Sequence, residues 1–307
     1  MKLITAQDVT DSTLTSSSVP EADTTEWTSG ANFATGATCM VTTTANGASI
    51  ATHKIYTSIH VGTNSGHDPT AADGTTYWTV VSSTNRWKMF NTTVQQQTVK
   101  AGGFNVVITP ADVISGLSVV NTDCESITVL MVDPVEGTVF NQTYSMVSES
   151  GITSWYDYFF TPISRDSDLA VLGLPPYSSA VLTVTFTDTG TAKCGALVIG
   201  ITEVIGDSQY GASFGIMDYS TKATDSSGNV TITEGSFSDT ADVDVIIETD
   251  RFAEVKKILT NARSVPSVWI TEENTDGLII YGYFREFSIL MTNPTVSLTT
   301  LSIEGLN

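Results

Sequence analysis

The chain has 307 residues, with 33 Asp and Glu against 13 Lys and Arg for a formal charge of −20, yet 41% of it is hydrophobic. This excludes an acidic disordered chain, which lacks apolar residues to bury, and leaves no basic stripe for nucleic-acid phosphates. The polar surface is instead Thr (49 residues) and Ser (33), and Thr with Val and Ile suits the pleated, half-buried surface of a β-protein.

Lys2 is followed only by Leu3 and Ile4 before Thr5, Gln7 and Asp8, so no secretory signal is read. No apolar run approaches the roughly 20 residues of a membrane span. The chain is expected to be soluble, made in a cytoplasm and not inserted in a membrane. Cys39, Cys124 and Cys194 are widely spaced with no CxxC, the pattern of buried thiols in a reducing compartment.

The first ten residues, with Leu3-Ile4, are able to add a short strand to something, and residues 11–26 are Ser-, Thr- and acid-rich with Pro20 and no periodicity. Together residues 1–26 predict an extended arm or linker that orders on a neighbour, adding a strand or lying across its surface. Residues 27–85 predict a small, turn-dense β module with an aromatic core. Its Asn46-Gly47 lies between MVTTT and ASIATHKIY, a strong hairpin signal. Residues 86–201 alternate as in an antiparallel β-sandwich or jelly roll: Ile127, Val129 and Met131 in one run, Leu182, Val184 and Phe186 in another.

Residues 202–307 predict a C-terminal β-rich α+β domain. A hairpin is expected around Asp225–Asn229, and a second turn at Asn274–Gly277. One amphipathic helix is expected near 251–263, with Phe252, Val255, Ile258, Leu259 and Ala262 on one face and Pro266 ending it. Four of the basic residues, Arg251, Lys256, Lys257 and Arg263, belong to this helix. The last strand changes its alternation near Thr299-Thr300, predicting a bulge there. The fold class is therefore mainly β.

Little of this points to chemistry. His53, His60 and His67 are the only histidines, and their seven-residue spacing matches no usual metal pattern. There is no GxSxG elbow, Walker A or dinucleotide fingerprint. Acids such as Glu149, Asp157, Glu272 and Glu273 could form a glycosidase pair only by converging in space, and Asp242 and Asp244 read as one face of a strand. No catalytic residue, metal ligand or cofactor site is assigned, and the chain is expected not to be an enzyme.

Two resemblances add to this. Trp27, Phe33, Gly36, Val41, Lys54-Ile55-Tyr56, Pro69 and Tyr77-Trp78 are spaced so that residues 27–85 resemble the small chitin-binding-type carbohydrate-binding module. That implies stacking on a sugar by Trp27, Tyr56 and Trp78, the same three residues that could equally make the module's own core. Further along stand Ser83-Thr84-Asn85-Arg86-Trp87-Lys88-Met89-Phe90, Asp157-Tyr158-Phe159-Phe160, Leu174-Pro175-Pro176-Tyr177, Tyr210-Gly211-Ala212-Ser213, Met217-Asp218-Tyr219-Ser220 and Ser302-Ile303-Glu304-Gly305-Leu306. In this order they resemble a family of tailed-bacteriophage and prophage structural proteins of the tail or adsorption apparatus. The resemblance implies a virion component without enzymatic activity that binds other tail proteins and copies of itself. A host-surface glycan is a further partner on this reading. The alternatives are a lectin-like receptor-binding protein and, after it, a cell-wall polysaccharide hydrolase.

Overall fold

The computed structural model describes residues 1–148, 154–162, 164–224, 226–271, 278–291 and 293–306, with backbone alone at 157, 158 and 291. It is mainly β, and its large sheet is antiparallel throughout.

The aromatic module comprises two small sheets, Asn32–Ala34 with Thr63–Ser65, and Thr38–Val41 with Lys54–Ser58 and Trp78–Ser83. Trp27, Phe33, Cys39, Val41, Tyr56 and Trp78 pack together as its core. Asn46-Gly47 does not make a two-residue hairpin. Gly47 turns at φ 93°, donating to the Thr44 carbonyl oxygen, inside a longer connection between Val41 and Lys54. Side chains hold that connection in place of a ladder: Glu26 accepts from the Thr42 N–H and hydroxyl, and Asp68 accepts from the Ser49 N–H and hydroxyl.

The next layer is a sandwich. Five strands form one sheet in the order Gly137–Ser145, Ser126–Asp133, Val181–Thr187, Phe104–Ile108, Leu14–Ser17. The inward residues of three of them, Ile127, Val129, Met131, Leu182, Val184, Phe186, Phe104, Val106 and Ile108, pack on Leu117, Val119, Cys194, Leu197 and Ile199 of the facing sheet. Burial alternates along Ser126–Asp133 as the sequence periodicity predicts. Cys194–Gly200 is buried on both faces, as expected for a strand covered on both sides.

The facing sheet has eleven strands and joins the middle of the chain to its C-terminal part. Its order runs Leu169–Leu172, Gly116–Asp123, Thr191–Val204, Lys2–Ala6, Ser267–Ile270, Ile279–Met291, Val296–Gly305, Phe237–Glu248 and Asp207–Ser208, with Thr98–Ala101 and Ser213–Asp218 paired alongside. The expected boundary at 201/202 therefore falls inside one strand, and the two expected domains share one sheet. Alternation reports which residues face a core but not which strands are neighbours.

Residues 1–26 are not an arm. Lys2–Ala6 is an inner strand, pairing Leu3 with Glu203 on one side and with Trp269 on the other. Leu3 and Ile4 are fully buried on opposite faces, in separate core clusters. Leu14–Ser17 then pairs with Phe104–Ile108, and Val19 enters the sandwich core. The short strand expected at Leu3-Ile4 is therefore present, but it pairs within this chain and not with a neighbour, and Ser and Thr at half-exposed positions of Leu14–Ser17 read as linker.

Two α-helices are described: α1, Trp155–Phe160, and α2, Phe252–Asn261. A 3-10 turn at Thr249–Arg251 leads into α2, so the helical stretch begins close to where the sequence places it. Val255, Ile258 and Leu259 of α2, with Ala262 just beyond its end, pack on Val243, Val245, Ile247, Leu301 and Ile303 of the large sheet. The expected bulge at Thr299-Thr300 lies instead on the partner strand, between Phe284 and Glu286. Ser297 and Thr299 are buried in phase with Leu301 and Ile303. The expected hairpin is formed by Thr221–Thr224 and Val230–Thr233, although Asp225 and the turn at Asn274–Gly277 lie outside the described residues.

Candidate functional site

The three residues expected to stack on a sugar are interior. Trp27, Tyr56 and Trp78 are 1%, 5% and 3% exposed. Phe33 meets Trp78 edge-on at 5.2 Å between ring centroids, the Trp78 Nε1–H donates to the His67 carbonyl oxygen at 2.9 Å, and the Tyr56 hydroxyl lies 2.9 Å from the Thr52 hydroxyl. All three rings are packed inside the module's core, and the polar atoms of Trp78 and Tyr56 are bonded there, leaving no ring face for a ligand. This corrects the sugar-stacking assignment. A module this small has few apolar residues, and its largest aromatics are taken for the core.

The rings that do reach the surface are others. His67 stacks on Tyr77 at 3.5 Å and 9°, and His60 lies 5.3 Å from Tyr77 and 5.9 Å from His67. All three are half-buried, beside the exposed Ile59 and Val61. The loop that carries His67 is pinned through Asp68, whose carboxyl stays below its ordinary range: burial raises its pKa, and hydrogen bonds from Ser49 and Thr70 outweigh that.

The third histidine does different work. His53 adopts φ 53°, in the left-handed region, and aims its ring at the first segment of the chain. Its Nδ1 lies 2.8 Å from Glu21 Oε1 and its Nε2 3.0 Å from Asp11 Oδ2, with Trp87 packed at 4.6 Å. Glu21 also accepts from the Thr84 hydroxyl at 2.6 Å and pairs with Arg86 at 3.4 Å, while Arg86 Nε donates to the Val19 carbonyl oxygen. Residues 83–90 are thus where the first segment, the module and the sandwich meet.

Burial lowers the His53 pKa, but the carboxylates of Glu21 and Asp11 outweigh it and hold the ring above its ordinary value. Glu21 is raised by burial and lowered more by His53, Thr84 and Arg86, for a net depression. Both imidazole nitrogens are occupied, so His53 acts as a clamp and leaves no nitrogen to serve as a base. Among the described residues, no three His, Cys, Asp or Glu side chains are placed to hold a metal ion. Of the candidate acids, Glu149, Glu272 and Glu273 lie outside the described residues, as does the Asp157 side chain. Asp242 and Asp244 face one side of Phe237–Glu248, as the sequence predicts, and accept from the Ser302 and Thr300 hydroxyls.

A cluster of exposed aromatic side chains lies on α1. Trp155, Tyr156, Phe159 and Phe160 are 69–79% exposed. They pair at helical i,i+4 spacing, Trp155 with Phe159 at 6.4 Å and Tyr156 with Phe160 at 4.7 Å. The helix sits beyond a short stalk formed by Val147–Ser148 and Ser164–Arg165. Arg165 fixes the stalk to the sandwich: its Nη1 lies 2.8 Å from Asp123 and 2.6 Å from Asp188, and Lys193 lies 3.1 Å from Asp123. Asp123 is held below its ordinary range by the hydrogen bond from Lys193, then by that from Arg165.

Sequence reasoning did not single out α1 or the His60–His67–Tyr77 group as surfaces. The dense run Trp155-Tyr156 and Phe159-Phe160, with no alternating period to bury it, was the available sign of an exposed aromatic face. No protein-family model and no curated protein matches the chain.

Proposed function

We propose that this chain is a non-enzymatic structural component of a bacteriophage virion, in the tail tip, baseplate or an appendage, working through protein–protein interfaces. The observation that carries the interface part of this reading is α1. Four large aromatics held in water on a stalk braced by Arg165 expose on the order of 500 Å², within the range at which surface patches mark interaction sites. Aromatic side chains of this kind supply most of the binding energy where they become buried in a partner. The assignment to a virion rests on the six motif resemblances alone.

Mass spectrometry of purified particles, with negative-stain imaging, tests the reading. The chain is expected in the particle, and replacing Trp155 and Phe159 by Ser is expected to lose it from particles while the isolated chain keeps its circular dichroism spectrum. Particles that lack the chain altogether would overturn the assignment.

Attachment to a host glycan is a second reading, and its supporting observation is the partly exposed His60–His67–Tyr77 group rather than Trp27, Tyr56 or Trp78. A glycan array probed with the whole chain, and with Tyr77→Ala, decides it. Binding unaffected by Tyr77→Ala, or no binding at all, counts against this surface.

A further inference from the structure

The large sheet ends in a strand that no other described element covers. Among the described residues Ser213–Asp218 pairs only with Phe237–Glu248, and all six of its residues are exposed, so its outer hydrogen-bonding edge is open. The following hairpin, Thr221–Thr224 with Val230–Thr233, is likewise exposed at every position. Native sheets blunt open edges with charge, proline or a bulge. This one has none of these from Ser208 to Met217, an uncharged run in a chain of net charge −20. Its acids begin at Asp218, and Asp239 and Asp242 lie one strand further in.

The face carrying Phe214 and Ile216 continues a core. Phe214 stands opposite Ala241, which belongs with Val243, Val245 and Ile247 to the cluster under α2. Beyond the reach of α2 the same face carries Phe214, Ile216 and Phe237, all exposed, with Asp239 opposite Ile216 and Asp218 opposite Phe237. A sheet face that carries large apolar side chains out from under its helix onto an open edge is half of an interface.

We propose that this edge pairs, antiparallel, with the same edge of a second copy of the chain. This rests on the reading of the protein as one that works through interfaces. The two-fold symmetry of an antiparallel ladder lets one strand serve as both partners. Centred on Gly215, the pairing sets Phe214 against Ile216 of the second copy, on the face that continues the α2 core. It sets Asp218 against Ala212, which keeps the two Asp218 carboxylates about 20 Å apart along the ladder. A self-repelling chain meets itself here along a stretch where no acid faces another. Phe214 and Ile216 of each copy become covered at the seam, with Phe237 beside them on the same face.

Light scattering of the purified full chain, coupled to size exclusion, is expected to give twice the mass of one chain. Ile216→Lys, at a position 68% exposed and therefore free of the fold, is expected to give a monomer with an unchanged circular dichroism spectrum and melting temperature. Gly215→Cys is expected to form a disulfide-linked dimer under mild oxidation, because each Gly215 would face its counterpart; the native cysteines are buried and do not interfere. Val135→Cys, exposed on a sandwich turn, is the control expected to remain unlinked. A monomeric wild type, a trimer, or a dimer that survives Ile216→Lys would overturn the proposal. Particle mass spectrometry separates the two readings: a monomer found in virions fails this pairing only, and a dimer absent from virions fails the virion assignment only.

Discussion

His53 Nδ1 lies 2.8 Å from Glu21 Oε1, joining residues 32 positions apart in the chain. That contact, with those of Asp11, Thr84 and Arg86, holds the first segment against the module, and it carries a pH dependence with a definite sign. His53 has its pKa raised from 6.5, so its contribution is complete below pH 6.5 and is lost as pH rises through the folded value. Glu21 has its pKa lowered from 4.5, so its contribution is present above pH 4.5 and is lost as pH falls through the folded value. The clamp is therefore strongest between about pH 4.5 and 6.5. Melting temperature is expected to decline above pH 6.5 in the wild type, and His53→Gln is expected to remove that decline. Identical pH slopes for the two proteins would refute the clamp.

Deleting residues 1–6 is expected to leave the chain unfolded or insoluble, because the deletion removes an inner strand and separates Thr191–Val204 from Ser267–Ile270. The same joint is sensitive at Gly200, where an added Cβ would run into the Thr5 carbonyl oxygen. Gly200→Ala is expected to cost about 2 kcal/mol, measurable by urea unfolding. A truncated chain with native circular dichroism would contradict the topology.

Arg165→Met should destabilise the sandwich by about 2 kcal/mol, since it strips Asp188, whose side chain is only 3% exposed, of its charged donor. The more exposed Asp123 keeps Lys193 and adds little. The variant is also expected to raise protease sensitivity around α1. Unfolding curves that superimpose on the wild type would show that the stalk is held by other contacts.

All three thiols are buried and free. Burial pushes Cys39 up to about 12 and also raises Cys124 and Cys194. Thiolate is the reactive form, so a thiol reagent at pH 8 is expected to label none of them in the native protein and all of them in urea. Rapid labelling of any one without denaturant would place it nearer the surface.

Trp27→Ala and Trp78→Ala are each expected to cost the module about 3–5 kcal/mol, the usual penalty for removing a buried aromatic. Near-ultraviolet circular dichroism, which reports aromatic packing, is expected to collapse for the module. A fully folded variant with altered sugar binding would instead return these residues to the surface.

Local patterns in the chain were enough to establish its mainly β character, the sandwich strands at 126–133 and 181–187 and the buried face of α2. Each depends on side chains within one element, where a period of 2.0 or 3.6 is visible in the residues. Their partners were not visible. Leu3 and Ile4 read as a short strand without a named partner until Glu203 and Trp269 flank Leu3 and Thr202 and Val268 flank Ile4, and the share of the sheet that crosses 201/202 is a matter of which edges meet. The aromatics of the module show the same division. Composition makes Trp27, Tyr56 and Trp78 either a binding face or a core, and only packing around Phe33 and the His67 carbonyl oxygen decides for the core. Pairing and burial join residues tens or hundreds of positions apart, through contacts that leave no period in the sequence.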